Sequence, residues 1–316
     1  MRLILSLCAL ILAQSSVANE CLKPDKTVLL YPEGQTVSGI VEEGSQITLP
    51  AREDNGLRGP EQGTESGRLS NVGDCARMDF YFPEGQFSKM VIVCPGGGYS
   101  FVSVFNEGTS VAQWLTRRGY AACVLKYRMP DGHWTVPIDD VQNALRYCRH
   151  HAAGWNVSQL GVMGFSAGGH LAAWASTGFV DEATRPDFSV LIYARFAPQE
   201  DSRCASMYNV IGSKGLRTDE EYAALKNRFC VANAVSVRTP RTFIALSADD
   251  RQVSPTNFLR YYEALVSCAV PCEVHIYPCG GHGWGFVGDD CAGEDSFSSC
   301  REGFYRSLEH WLSQDR

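Results

Sequence analysis

Three things are scarce in these 316 residues, and each scarcity excludes something. No Lys/Arg-rich run tracks along the chain, and charged residues make up 20% with a net charge of −7. That balance offers no electrostatic footprint for a nucleic acid backbone, so nucleic acid is not expected as a partner. An acidic surface would also draw anionic polymers poorly, which slightly favours neutral substrates. Beyond the N-terminus no apolar run is long enough to cross a bilayer, so no membrane span is expected. The 13 cysteines include no paired CxxC motifs, so neither a structural zinc site nor any other metal is expected.

The beginning of the chain, MRLILSLCALILAQSSVANE, has the layout of an export leader. Arg2 supplies a positive start, Leu3 to Ala13 a short apolar run, and Ser16-Val17-Ala18 small residues at a cleavage spacing. Residues 1–18 are therefore read as a signal peptide, and the protein as secreted or periplasmic. Removing Cys8 with the leader leaves an even number of cysteines, which export would allow to pair. Cys268/Cys272, Cys291/Cys300 and Cys204/Cys230 are local candidates, whereas Cys94 and Cys123 lie in apolar runs that suit buried thiols.

Residues 19–75 are polar, rich in Gly and Glu, and low in apolar periodicity from Ala51 to Asn71. They read as an N-terminal arm with the first strands rather than as a second domain. From 76 to 316 strand-like and helix-like runs alternate. Strands are expected at Met78–Phe82, Met90–Cys94, Tyr120–Leu125, Leu160–Met163, Phe188–Tyr193, Thr242–Ser247 and Glu273–Tyr277. Helices are expected at Glu107–Arg118, Ile138–Ala153, Ala167–Ser176, Asn257–Val266 and Phe297–Leu312. Residues 194–238 look irregular and polar, as an insertion over the sheet would. The alternation predicts an α/β fold with a mostly parallel sheet and helices on both faces. In such folds chemistry collects at loops beyond the carboxyl ends of the strands.

Those loops hold the informative residues. Gly164-Phe165-Ser166-Ala167-Gly168 is a G-x-S-x-G motif between an expected strand and an expected helix. That sharp turn would hold Ser166 in a strained conformation, exposed as a nucleophile. Pro95-Gly96-Gly97-Gly98 follows another strand. Backbone amides of Gly97, Gly98 and Ala167 are the expected donors to an oxyanion. A base should follow later in the chain. His282, in Gly280-Gly281-His282-Gly283, is preferred, and His133 before Trp134 is its rival. For the acid, Asp249 and Asp250 follow the Thr242–Ser247 strand, and only one can face the imidazole; Asp250 is preferred, with Asp249 capping the next turn. Asp139 and Asp140 read as carboxylates at a helix start. Tyr99, Trp134 and Trp284, with Phe101 and Phe286, flank these loops and are candidates for stacking on a sugar ring.

In order along the chain, PGGGY, Glu107-Gly108, KYRMPDGH (126–133), GVMGFSAGGHLAA (161–173), RPDF (185–188), Asp249-Asp250 and HIYPCGGHGWG (275–285) resemble secreted bacterial acetyl xylan esterase-like α/β-hydrolases, from about Tyr31 onward. The resemblance implies an α/β-hydrolase fold and removal of acetyl groups from plant-cell-wall polysaccharide. It implies Ser166, Asp250 and His282 as the triad, with no cofactor. Two features depart from the family pattern: Ala194-Arg195 stands where Pro-Val is usual, and cysteines are more numerous. Two other enzyme readings stay open, a short-chain carboxylesterase and a serine peptidase of related fold. A non-catalytic sugar-binding protein on the same scaffold is the reading from another class.

Overall fold

Strand Lys89–Cys94 (KMVIVC) has no exposed residue, and neither has Phe188–Ile192. Such runs belong to strands covered on both faces, as parallel sheets are. The computed structural model describes residues 23–31, 60–72, 76–198, 205–212, 218–287 and 295–315. The leader reading of residues 1–18 lies outside them. Eight strands form the main sheet: β1 (Lys26–Leu29), β4 (Arg77–Tyr81), β5 (Lys89–Cys94), β7 (Ala121–Lys126), β8 (Gln159–Phe165), β9 (Phe188–Ile192), β10 (Arg241–Ser247) and β11 (Cys272–Tyr277). Their order is β1-β4-β7-β5-β8-β9-β10-β11. The edge pairings β1–β4 and β4–β7 are antiparallel, and the rest are parallel.

The period of two distributes each strand between two cores. Met90, Ile92 and Cys94 pack on one face with Leu160 and Val162, while Val91 and Val93 join Met163 and Phe165 on the other. Helices α2 (Thr135–His151), α3 (Ser166–Thr177) and α6 (Leu259–Ser267) cover the first face through Val141, Leu145, Leu171, Tyr261 and Leu265. Helices α1 (Ser110–Thr116) and α7 (Ser298–Ser313) cover the second through Val111, Leu115, Phe304 and Leu308. Burying a side chain of this size contributes about 1.5–3 kcal/mol, so both layers stabilise the sheet. No helix among the described residues is long and apolar enough to cross a membrane.

Some expectations need correction. The 194–238 segment is not irregular: it holds α4 (Ala205–Ile211) and α5 (Asp219–Phe229). Helix α5 is started by a capping box between Thr218 and Glu221 and buries only Phe229, so its apolar signal is weak. Within the polar arm, β2 (Gln62–Gly63) pairs with β3 (Arg68–Ser70), and β3 pairs with β6 (Phe101–Ser103), in a small antiparallel sheet. Helix α2 begins at Thr135, so Asp140 lies beyond its first turn and does not serve as a helix-start charge. It is buried, and its carboxylate accepts from the Arg128 guanidinium at 2.7 Å and from Tyr31 Oη at 2.6 Å. Cys268, at the end of α6, and Cys272, at the start of β11, are both free thiols; Cys94 and Cys123 are free and buried. Burial pushes the Cys94 thiol up to about 12, which leaves it protonated and unreactive. Cys204 and Cys291 lie outside the described residues. Cys279 and Cys300, a pairing the sequence did not suggest, bring their sulfurs to 3.7 Å.

Candidate active site

Because β5, β8, β9, β10 and β11 run parallel, their carboxyl ends open on one edge of the sheet. The strand order reverses around β5, between β7 and β8, and crevices form at such points. Each sequence motif leaves the sheet at this edge.

Strand β8 ends at Phe165 and α3 begins at Ser166, with no intervening residue. Ser166 has φ of +51°, the left-handed region that a side chain normally avoids, so the turn strains it and holds it upright. The turn is possible because α3 lies against the β5 loop. A Cβ on Gly168 would sit 2.0 Å from the Cys94 carbonyl oxygen. Gly97 is equally constrained, with φ of +136° and space for a Cβ only 2.0 Å from the Phe101 carbonyl.

Ser166, His282 and Asp250 come from three distant parts of the chain and meet here. Ser166 Oγ lies 2.8 Å from His282 Nε2, and His282 Nδ1 lies 2.7 Å from Asp250 Oδ2. The other Asp250 oxygen accepts from the amides of Gln252 (2.8 Å) and Val253 (2.9 Å). Both carboxylate oxygens are thus occupied, and the buried group is locked in orientation. Asp249 points elsewhere: its Oδ1 accepts from the Gly281 amide at 2.8 Å, steadying the histidine loop. It does not cap the turn that follows it, as the sequence had suggested. His133 is exposed in the loop before α2 and takes no part. Gly97, Gly98, Ser166 and His282 line one open cavity of about 640 Å³. The Gly97 and Gly98 amides make no hydrogen bond among the described residues, and Ala167 lies in the first turn of α3, where amides are unpaired.

The aromatic candidates require correction. Tyr99, Trp134 and Trp284 do not line this cavity. Tyr99 is buried and its hydroxyl bonds His170 Nδ1 at 2.7 Å. Trp134 packs on Trp174 across the sheet's helical layer, with Arg228 over its ring. Trp284 stacks on Phe297 at 3.9 Å and donates to Ser247 Oγ at 3.0 Å. Phe286 is also core. Phe101 alone of this group reaches the cavity. The flanking aromatics therefore build the walls that carry the loops, because a large ring beside a glycine loop is as easily buried as exposed.

A carboxyl that the sequence left without a role sits beneath the site. Glu107 is buried, its Oε2 accepting from the Gly96 amide at 2.7 Å and its Oε1 from Tyr193 Oη at 2.7 Å. Tyr193 Oη in turn accepts from the Gly285 amide at 3.0 Å. The pair ties the glycine loop to the histidine loop. Burial pushes the Glu107 carboxyl above its usual range, against the pull of the Tyr193 and Gly96 hydrogen bonds. Its signal in the sequence was a lone acid inside the apolar run that precedes α1, next to Gly108.

His170, on α3, is buried and neutral: Nδ1 takes the Tyr99 hydroxyl and Nε2 donates to the Phe229 carbonyl at 2.9 Å. Burial lowers its pKa to about 4. An unfolded imidazole titrates near 6.5, so between these values the unfolded chain binds a proton that the folded chain refuses. Stability is intact above about pH 6.5 and falls with pH, by about 3 kcal/mol once pH reaches 4. We expect the stability advantage of the wild type over His170→Gln, measured by urea unfolding, to shrink by about that amount from pH 7.5 to pH 4. A pH-independent difference would contradict a buried neutral imidazole.

With this geometry established, comparison with known proteins becomes informative. The BD-FAE family model matches residues 78–216. An acetylxylan esterase from Xylanibacter ruminicola is 38% identical over 216 residues, which is 67% of this chain and 44% of the relative. A solved structure, an acetyl ester-xyloside bifunctional hydrolase from Caldicellulosiruptor lactoaceticus, superposes with a TM-score of 0.64 at 30% identity, covering 75% of this chain and 87% of that one. The chain belongs to the α/β-hydrolase esterases. An endo-1,4-beta-xylanase B from Butyrivibrio fibrisolvens is 28% identical over 216 residues, 63% of this chain and 33% of the relative. The chain therefore spans less than half the length of either curated relative. Within this α/β-hydrolase family member, the segment shared with the family model runs from β4 through the glycine loop and Ser166.

Proposed function

We propose that this protein is a serine carboxylic-ester hydrolase that removes O-acetyl groups from plant-cell-wall polysaccharide such as acetylated xylan. One observation carries the reading: the unbroken hydrogen-bonded chain Ser166–His282–Asp250 at the mouth of a cavity edged by Gly97 and Gly98. In the proposed mechanism Ser166 Oγ attacks the ester carbonyl while His282 Nε2 takes its proton. Asp250 holds the Nδ1–H tautomer and stabilises the imidazolium. Amides of Gly97, Gly98 and Ala167 receive the oxyanion, worth about 3–4 kcal/mol of barrier for each well-placed donor. The sugar hydroxyl leaves with the proton from His282, and water, activated by the same imidazole, releases acetate from Ser166.

Substrate choice is supported by the relatives, one an acetylxylan esterase and one a hydrolase of acetyl esters and xylosides. The cavity agrees, since Ser66, Ser100, Ser103, Asn106 and Gln252 offer it polar groups suited to sugar hydroxyls. The leader-like N-terminus fits a protein exported to where such polysaccharide is met. The test is acetate release from acetylated xylan, set beside cleavage of butyrate esters and peptide amides. Deacetylation is expected to dominate. Faster butyrate cleavage would favour a general short-chain carboxylesterase, and amide cleavage without deacetylation would overturn the proposal.

A further inference from the structure

The chain is acidic overall, yet the charged side chains around its cavity are mostly of the opposite sign. Arg68, Arg195 and Arg251 all line it, and among the described residues Glu107 is the single carboxylic acid that does so. Glu107 is already spoken for by Gly96 and Tyr193. The arginines arrive from separate elements: Arg68 from β3 of the small sheet, Arg195 from the loop after β9, Arg251 from the loop after β10, next to Asp250. Arg68 is exposed and lies over the Phe101 ring at 4.7 Å, which leaves the edge of its guanidinium available. Arg251 is exposed, and neither it nor Arg68 pairs with a carboxylate among the described residues. Arg195 is buried, its amide donating to the Ser166 carbonyl at 3.2 Å and its guanidinium to the Gln252 carbonyl at 3.2 Å. These contacts fix it beside the elbow.

A concave site walled by one sign of charge concentrates ligands of the other. Planar guanidinium groups suit carboxylates in particular. We infer that this cavity takes an acetylated glycan that also bears a carboxylate, a uronic acid substituent near the ester, held by Arg68 and Arg251 at the rim. The carboxylate belongs to the sugar side because Arg68 and Arg251 are exposed, whereas the acyl group bonds to the half-buried Ser166. The inference rests on the esterase reading above and adds its substrate class.

The test compares kcat/KM for an acetylated xylo-oligosaccharide carrying a glucuronic acid side group with that for the same oligosaccharide without it. At low ionic strength the acidic substrate is expected to be favoured by about tenfold, the scale of one charge-assisted contact. That ratio should fall towards one at high salt, which screens exposed pairs. In Arg68→Gln/Arg251→Gln, checked for folding by circular dichroism, the ratio should also approach one. Arg251→Gln alone should lower it part of the way if the double variant is unstable. A wild-type ratio near one, or a ratio that neither salt nor substitution moves, would overturn the inference while leaving the esterase intact. A preference for a succinyl ester over a butyryl ester of one neutral alcohol would move the carboxylate to the acyl side and also overturn it. Hydrolysis of neither oligosaccharide would remove the esterase reading itself, and the inference with it.

Discussion

Replacing Ser166 by alanine is expected to lower kcat for hydrolysis of an activated acetate ester by about 10⁴-fold or more. The reason is local. Only this hydroxyl is held on the strained turn, at 2.8 Å from an imidazole nitrogen, beside the glycine loop. Alanine removes the nucleophile while keeping the Cβ, so the turn from β8 into α3 should survive and stability should change little. KM should move far less than kcat, because the cavity walls are untouched. Steady-state kinetics on the purified variant, with circular dichroism as the control for folding, checks this. Hydrolysis retained at wild-type rate would remove Ser166 from the mechanism and revive the sugar-binding reading.

The second large effect distinguishes two neighbouring aspartates. Asp250→Asn is expected to cost about 10⁴-fold in kcat, since an amide facing His282 Nδ1 favours the wrong tautomer and cannot stabilise the imidazolium. Asp249→Asn keeps an acceptor for the Gly281 amide and should cost no more than about threefold, the loss of a charge from one loop hydrogen bond. Parallel kinetics on the two variants provide the measurement. Equal losses would mean that the carboxylates act together; a larger loss at Asp249 would mean that the 2.7 Å contact between His282 and Asp250 is not the working one.

Why one aspartate and not its neighbour takes this place was only partly legible in the chain. Consecutive residues leaving a strand point apart, so a DD pair signals one acid facing the histidine, but the choice depends on the backbone of residues 250–253. There the amides of Gln252 and Val253 seat Asp250. Local motifs were far easier to read. A strand, G-x-S-x-G and a helix occupy the one stretch Gln159–Thr177, and their geometry follows from near neighbours. The alternation of strands and helices was legible for the same reason, because β5 and β9 are mostly apolar and buried throughout. The cavity walls were not. Arg68 reaches the site only because β3 pairs with β6, a contact between a polar arm and the residues after the glycine loop that no periodicity announces. Glu107 was hidden because a buried acid and an exposed one look alike until their partners are known. The aromatics misled for a converse reason: Trp284 and Tyr99 sit beside catalytic motifs in sequence, yet their bulk is used to fill the core beneath the loops.

A covalent probe reads the reactivity of the Ser166 hydroxyl directly. Incubation with a serine-directed fluorophosphonate, followed by proteolysis and mass spectrometry, should place a single adduct on the peptide containing Ser166. His282→Ala should slow the labelling strongly, since the imidazole no longer takes the proton. Labelling at another serine, or no labelling of the folded wild type, would contradict the account.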